Sequence, residues 1–427
     1  MAESPARPMG NREVLRLPGF RKLFVAQAIS DLGDGMTFMA LLLLVNQLTH
    51  SPAALAVLSI AVALPSMVGG VIAGAYADRL DRRRIMIVSD ALRALFVLVL
   101  AVAGTVERLP ILYVVAFVQA AIGTFFSPAR GALIPKVVPA EGLMAASGLG
   151  QLSRMIGGLL GTGLTGAVFA LSGSAWPVFF FDAATFAASV LIVLRVDPSL
   201  GRVAEHPTGA PRQGVGASAL EGLRIIGRSP TLLATVSGLA IAMLGLGAVN
   251  VLFVPFLIDV LHESAAWAGP LEAAQTLSMV LAGGLVASLA VRTSPQSIVV
   301  GSLLGIGATI ALLSAAPGAP AVLVIMFIVG WFVTPVQAAT QALILSTATN
   351  DVRGRVIGAF QASMSTTTIA STAAAGILAS VIGVRTVLLG GGLICLAAAL
   401  LAVVLFRVDR PVPAPASGPA RVGPAEA

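Results

Sequence analysis

Charge, cysteine and histidine are all scarce in this sequence. Only 11% of its 427 residues are Asp, Glu, Lys or Arg, against about a quarter in a soluble chain, which excludes an ordinary water-soluble globule. The single cysteine, Cys395, excludes an intrachain disulfide or thiolate cluster, and His50, His206 and His262 are too scattered for a metal-ligand set. No nucleophile–base pair is visible, so an enzyme reading has no support. The net charge of +7 would suit nucleic acid only if the basic residues shared one soluble face. They sit instead in short loops between apolar runs. The N-terminal segment is polar and Arg-rich, and the first apolar stretch runs well past a signal core, so no cleavable signal peptide is expected.

What is present is apolar: 57% of the residues are hydrophobic. Runs of about 20 apolar residues recur, each long enough to cross roughly 30 Å of hydrocarbon. They predict an all-α membrane protein of twelve transmembrane helices. The expected organisation is a cytoplasmic N-terminal segment (1–20), a six-helix bundle (21–195), a polar linker (196–229), a second six-helix bundle (230–406) and a Pro/Ala/Gly-rich disordered tail (407–427). Lys and Arg fall overwhelmingly on the side of the termini and linker, with only Arg108 and Arg385 on the other. That bias places both termini in the cytoplasm and the protein in the cytoplasmic membrane. A fixed shift of 210 residues superposes Gly74 on Gly284, Arg82 on Arg292, Leu133-Ile134 on Leu343-Ile344, Gly148 on Gly358 and Gly166 on Gly376. One shift holding across a loop and two helices implies two parallel six-helix repeats around a central cavity.

The loop sequence Gly74-Ala-Tyr-Ala-Asp78-Arg79-Leu-Asp81-Arg82-Arg83-Arg84 resembles the loop motif Gly-x-x-x-Asp-Arg-x-Gly-Arg-Arg of the major facilitator superfamily, with Asp81 at the usual Gly. The block Phe125-Phe-Ser-Pro-Ala-Arg130, followed by Glu141-Gly-Leu-Met-Ala-Ala-Ser147, resembles the helix 4/5 junction of its enterobactin-exporter and macrolide-efflux branch. Arg353-Gly-Arg-Val-Ile-Gly358 is similar to the equivalent junction in the second half. The resemblance implies a secondary transporter that alternates between inward- and outward-facing states, with the first, fourth, seventh and tenth helices lining the cavity. It also implies a cytoplasmic latch of Gly74, Asp78, Arg79, Arg82 and Arg83 against the start of the eleventh helix near Arg355. In physical terms Gly74 allows close approach, Asp78 accepts at an amide-rich helix start, and the arginines reach carboxylates across the gap.

Gln27, Asp31, Asp34 and Phe38 share one face of the first helix. An intramembrane carboxylate is costly unless water or a cation compensates it, and it marks a coupling or substrate-cation site by default. Asp34 and Asp31 are therefore the proton-coupling candidates. Arg154, at similar depth in the fifth helix, is their candidate counter-charge, with Asp182 in the sixth helix as the alternative partner. Asp90 and Arg93 are expected to brace the cytoplasmic edge. Gly157, Gly161 and Gly166 give the fifth helix a close-packing face and fit in part an exporter motif of the resembled superfamily, with Thr162 where Pro is expected. Gln27, Phe38, Gln119, Phe125, Gln337 and Gln341 are the candidate cavity residues, apolar with a few polar anchors. These suit an amphipathic or weakly cationic substrate.

The functional expectation is proton-coupled export of a hydrophobic or amphipathic small molecule, such as a drug, macrolide or siderophore. The proton gradient supplies the energy; no cofactor, metal, nucleic acid or obligatory protein partner is called for. A lipid flippase or metabolite importer of the same fold, or a transport-inactive scaffold or receptor, stands as the alternative.

Overall fold

The structure is a computed structural model. It describes residues 9–77, 80–102, 108–201, 215–348 and 352–408, the side chains of 67–77, 101–102, 215–220, 285–292 and 407–408 excepted. Among these residues twelve long helices are found: α1 (Pro18–Thr49), α2 (Pro52–Ala77), α3 (Arg82–Val102), α4 (Leu109–Val137), α5 (Leu143–Ser172) and α6 (Trp176–Val193) in the first half. The second half holds α7 (Pro230–Pro255), α8 (Ala268–Arg292), α9 (Pro295–Ser314), α10 (Ala319–Thr347), α11 (Arg353–Ile382) and α12 (Val384–Val408). Nine of them are long and apolar enough to cross a membrane. Outward-facing Leu171, Val381 and Leu400 are largely exposed, as lipid-facing side chains are.

Local sequence sets the helix ends. Proline opens α1, α4, α6, α7, α9 and α10, where its missing N–H costs nothing. Ser229 and Ser294 accept backbone N–H bonds from Leu232 and Ser297 and so cap α7 and α9. Gly173, at φ 66°, ends α5 in the left-handed region. Asp81 caps α3 by accepting from the N–H of Arg84 at 2.9 Å, which gives the departure from Gly at that position a local reason.

The two halves pack alike. In the first, α1 lies against α5 and α6, α2 against α4, and α3 against α4 and α6; in the second, α7 lies against α11 and α12, α8 against α10, and α9 against α10 and α12. The halves meet where α2 touches α11 and α5 touches α8, again a pair related by the repeat. Small residues make that seam: a Cβ on Gly376 would fall 2.8 Å from the Pro52 carbonyl oxygen, and Gly166 lies against the backbone of Ala265. The 210-residue match of Gly166 with Gly376 thus marks one close approach used twice. Both contacts, and the His50 Nδ1–Asp259 Oδ1 pair at 3.0 Å, lie at the end of the bundle away from the termini.

Between the halves, a short helix (Val215–Arg228) lies where a polar linker is expected. It packs on α11, with Gly222 against Arg355 and Ala359, and Glu221 ion-pairs with Arg355. Asp78, Arg79 and the tail beyond Val408 lie outside the described residues, so the latch and the disordered tail are not placed.

Candidate functional site

Glycine brings α5 onto α1. A Cβ on Gly157 would lie 2.7 Å from that of Asp31, and one on Gly161 would lie 2.6 Å from the N of Met36. That closeness lets Ser153 reach Asp31, donating to one carboxylate oxygen at 2.5 Å while Gln27, one turn earlier on α1, donates to the other. Asp31 is therefore buried but satisfied by neutral donors. Asp34 stands one turn further on, its side chain 42% exposed, and is ion-paired with Arg93 from α3. Arg93 itself is buried, with its guanidinium stacked 4.1 Å from the ring centroid of Phe186. Behind it lies fully buried Asp90, which accepts from Ser189 at 2.6 Å and holds its other oxygen 3.9 Å from Arg93 Nη1. That second oxygen has no hydrogen-bond partner.

These contacts correct the pairing read for Arg154 from the sequence. Among the described residues Arg154 makes no ion pair with Asp34, Asp31 or Asp182: it is exposed and donates to Gln151, one turn back on its own helix, at 2.6 Å. It shares a cavity wall with Asp31 and Asp34, but its guanidinium turns to its own helix. Asp182 is held instead by Thr37 at 2.6 Å and Thr185 at 3.0 Å. Nor do Asp90 and Arg93 brace the cytoplasmic edge; α6 packs over them and makes them part of the buried network around Asp34. Arg83 donates to the carbonyls of Val193 and Leu194 at 3.2 and 2.7 Å, capping the negative end of α6. Arg82 has its Nε buried without a partner.

Among the described residues, a polar cavity lies in each half at matching helices. The first-half cavity, about 350 Å³, is walled by α1 to α5 and takes in Gln27, Asp31, Asp34, Arg93, Arg130 and Arg154. The second-half cavity, about 330 Å³, is walled by α7, α9, α10 and α11 and is uncharged, with Gln337, Gln341 and Gln361 as its amides. Phe38 and Gln119 line neither: Phe38 is exposed elsewhere on α1, and Gln119 is buried within the first half. Phe126, one position beyond Phe125, is the aromatic residue on the first cavity wall.

Sequence reasoning left Arg130 to the helix edge as a topology charge. In the structure α4 continues to Val137, so Arg130 lies about 10 Å inside its end, 6% exposed and on the cavity wall. The signal was available in the α4/α5 block that carries it. Glu272 of α8 was also missed; it is an acidic residue near the start of the helix that packs on α5 across the seam between the halves.

The family model described as Major Facilitator Superfamily matches residues 23–295 and 235–425. The chain is 29% identical over 402 residues to the uncharacterized MFS-type transporter YfiS of Bacillus subtilis, covering 90% of this chain and 93% of that one. It is 28% identical to the multidrug efflux pump Tap of Mycolicibacterium fortuitum, covering 79% and 83%, and 28% identical to the enterobactin exporter EntS of Escherichia coli, covering 81% of each. Among solved structures, nucleoside transporter NupG superposes with a TM-score of 0.74 at 14% identity, covering 91% of this chain and 99% of that one, which is a likeness of fold.

Proposed function

This chain belongs to the major facilitator superfamily, in its efflux-like branch, as a multi-pass transporter rather than an enzyme, and we propose that it exports a hydrophobic or amphipathic small molecule in exchange for protons. The observation that carries the coupling is the Asp34–Arg93 pair: a carboxylate open to the cavity tied to a guanidinium buried behind it. Protonating Asp34 cancels the attraction and frees Arg93, which has a second acceptor waiting in the unpartnered oxygen of Asp90. Because Asp34 is on α1 and Arg93 on α3, the exchange of partner loosens one helix from another within the first half. A proton taken up on one side of the membrane thereby biases a two-state packing, and its release on the other side resets it.

The positive-side bias puts the termini in the cytoplasm of a bacterial inner membrane. The seam between the halves, at the end away from the termini, then closes the outer side, and this is the inward-facing state in which an exporter loads. The relatives named as a multidrug efflux pump and an enterobactin exporter support the direction and the substrate class.

Growth of a sensitive strain on a drug and siderophore panel, with and without the gene, identifies a substrate. In proteoliposomes, an imposed pH gradient should then drive its movement by the natural protein. Asp34→Asn should lose gradient-driven movement and keep downhill exchange. Gradient-driven movement that survives in Asp34→Asn removes the coupling role.

A further inference from the structure

We infer that the first-half cavity is built for an acidic group, so that the substrate carries a carboxylate, acidic phenol or similar anion on an apolar body. This rests on the export reading above and narrows it, in a direction opposite to the weakly cationic substrate suggested by the acids of α1. Among the described residues the wall carries three guanidinium groups, Arg93, Arg130 and Arg154, and two carboxylates, Asp31 and Asp34. Arg93 is spoken for by Asp34, and Asp31 by Gln27 and Ser153. Arg130 and Arg154 are left. Neither makes an ion pair with a carboxylate among the described residues, and Arg154 donates to the neutral amide of Gln151.

Arg130 is the stronger marker. It is more than nine-tenths buried, its Nε has no hydrogen-bond partner, and among the described residues no carboxylate lies within ion-pair distance of it. Gly150 makes room for it, since a Cβ there would fall 2.8 Å from Arg130 Nη2. A buried guanidinium left without an anion is expensive, so the position calls for one that arrives with a ligand. A planar fork of N–H donors beside a second guanidinium suits a carboxylate or phenolate oxygen.

The second half supplies the control. Under the 210-residue shift Arg93, Arg130 and Arg154 fall on Leu303, Thr340 and Met364, and all three of those line the second-half cavity. The same wall is thus built without charge in the second half, and the fold does not require these arginines.

The test uses purified full-length protein in nanodiscs and a fluorescent aromatic probe in three forms that share one body: carboxylate, methyl ester and primary amine. Anisotropy titration should show the carboxylate binding at least about tenfold tighter than the ester. Arg130→Gln should erase that preference by weakening the carboxylate form more than the ester, and Arg130→Lys should retain part of it. Repeating the titration in phosphatidylcholine discs with and without phosphatidylglycerol separates two sources of the anion. Displacement of the carboxylate probe by the anionic lipid assigns the site to a lipid headgroup, and indifference to it assigns the site to a soluble organic acid. Equal binding of all three forms, preference for the amine, no binding of any form, or equal weakening of all three by Arg130→Gln overturns the inference. Binding at equilibrium needs no proton gradient, so a carboxylate preference alongside failed gradient-driven transport overturns the export reading alone.

Discussion

If Arg93 has two alternative anions, removing them one at a time and together must give a non-additive result. Arg93 is 8% exposed, and stripping a buried charge of its partner costs about 3–5 kcal/mol when nothing replaces it. Two features reduce that for Asp34→Asn. The Asp34 side chain is 42% exposed, so part of its attraction is already screened by water, and Asp90 lies 3.9 Å from Nη1 with an oxygen to spare. The single substitution should therefore cost about 1–2 kcal/mol, well short of the full penalty. Asp90→Asn keeps the Asp34 pair and the bond to Ser189, and should cost a similar amount. The double variant leaves Arg93 with neither and should approach the full 3–5 kcal/mol, a coupling of about 1 kcal/mol beyond additivity. Unfolding by SDS titration in mixed micelles measures all four species. Additivity within about 0.5 kcal/mol would refute the two-acceptor reasoning, since Asp90 would then not be taking up the charge that Asp34 drops.

Two further outcomes follow from the seam. Gly376→Val places a Cβ 2.8 Å from the Pro52 carbonyl oxygen, an overpacking of about 1–3 kcal/mol felt only while the halves are closed at that end. Spin-label distances across the seam should lengthen in this variant, and Cys395, buried and the only cysteine in the sequence, leaves little background labelling; an unchanged distance distribution would count against the seam as a gate. His50→Ala removes the 3.0 Å contact with Asp259. With the His50 side chain 68% exposed the loss should be below about 1 kcal/mol, read as a small rise in labelling of that end with no change in unfolding.

The fold was legible because its signals are long and repeated. Twelve apolar runs, a charge bias between loops and one constant shift all point the same way, and the shift even picked out Gly166 and Gly376, which meet the opposite half. The site was legible only in part. Helical spacing placed Asp31 and Asp34 on one face of α1, and both are on the cavity wall. Partner choice was not readable, because it depends on how helices are rotated about their axes. Arg154 has the right depth but turns toward Gln151, whereas Arg93, nominally near the membrane edge, is carried inward by the packing of α3 against α6. The same rotation puts Phe126 rather than Phe125 on the wall. Arg130 was masked by a different rule: an arginine near a helix end reads as topology until the helix is seen to run two turns further.

The two cavities are the same construction made from different chemistry, and that difference bears on how the halves share the work. In the first, ionisable groups line the wall and Arg93 stands between two acids; in the second, Leu303, Thr340 and Met364 stand where the arginines would be, beside Gln337, Gln341 and Gln361. Neutral amides can hold a ligand's carbonyl or hydroxyl groups without a charge to be neutralised or reset. On the proposed function, an amphipathic ligand with an acidic head would lie across the axis, head in the first half and body against the second. Proton binding at Asp34 then changes the charge on only one side of that ligand. Reversing the asymmetry tests this division: Thr340→Arg should give the second half affinity for an acidic head of its own. In an Arg130→Gln background it should restore binding of the carboxylate probe while leaving Asp34-dependent, gradient-driven movement unrestored, because the head would now sit away from the groups that titrate.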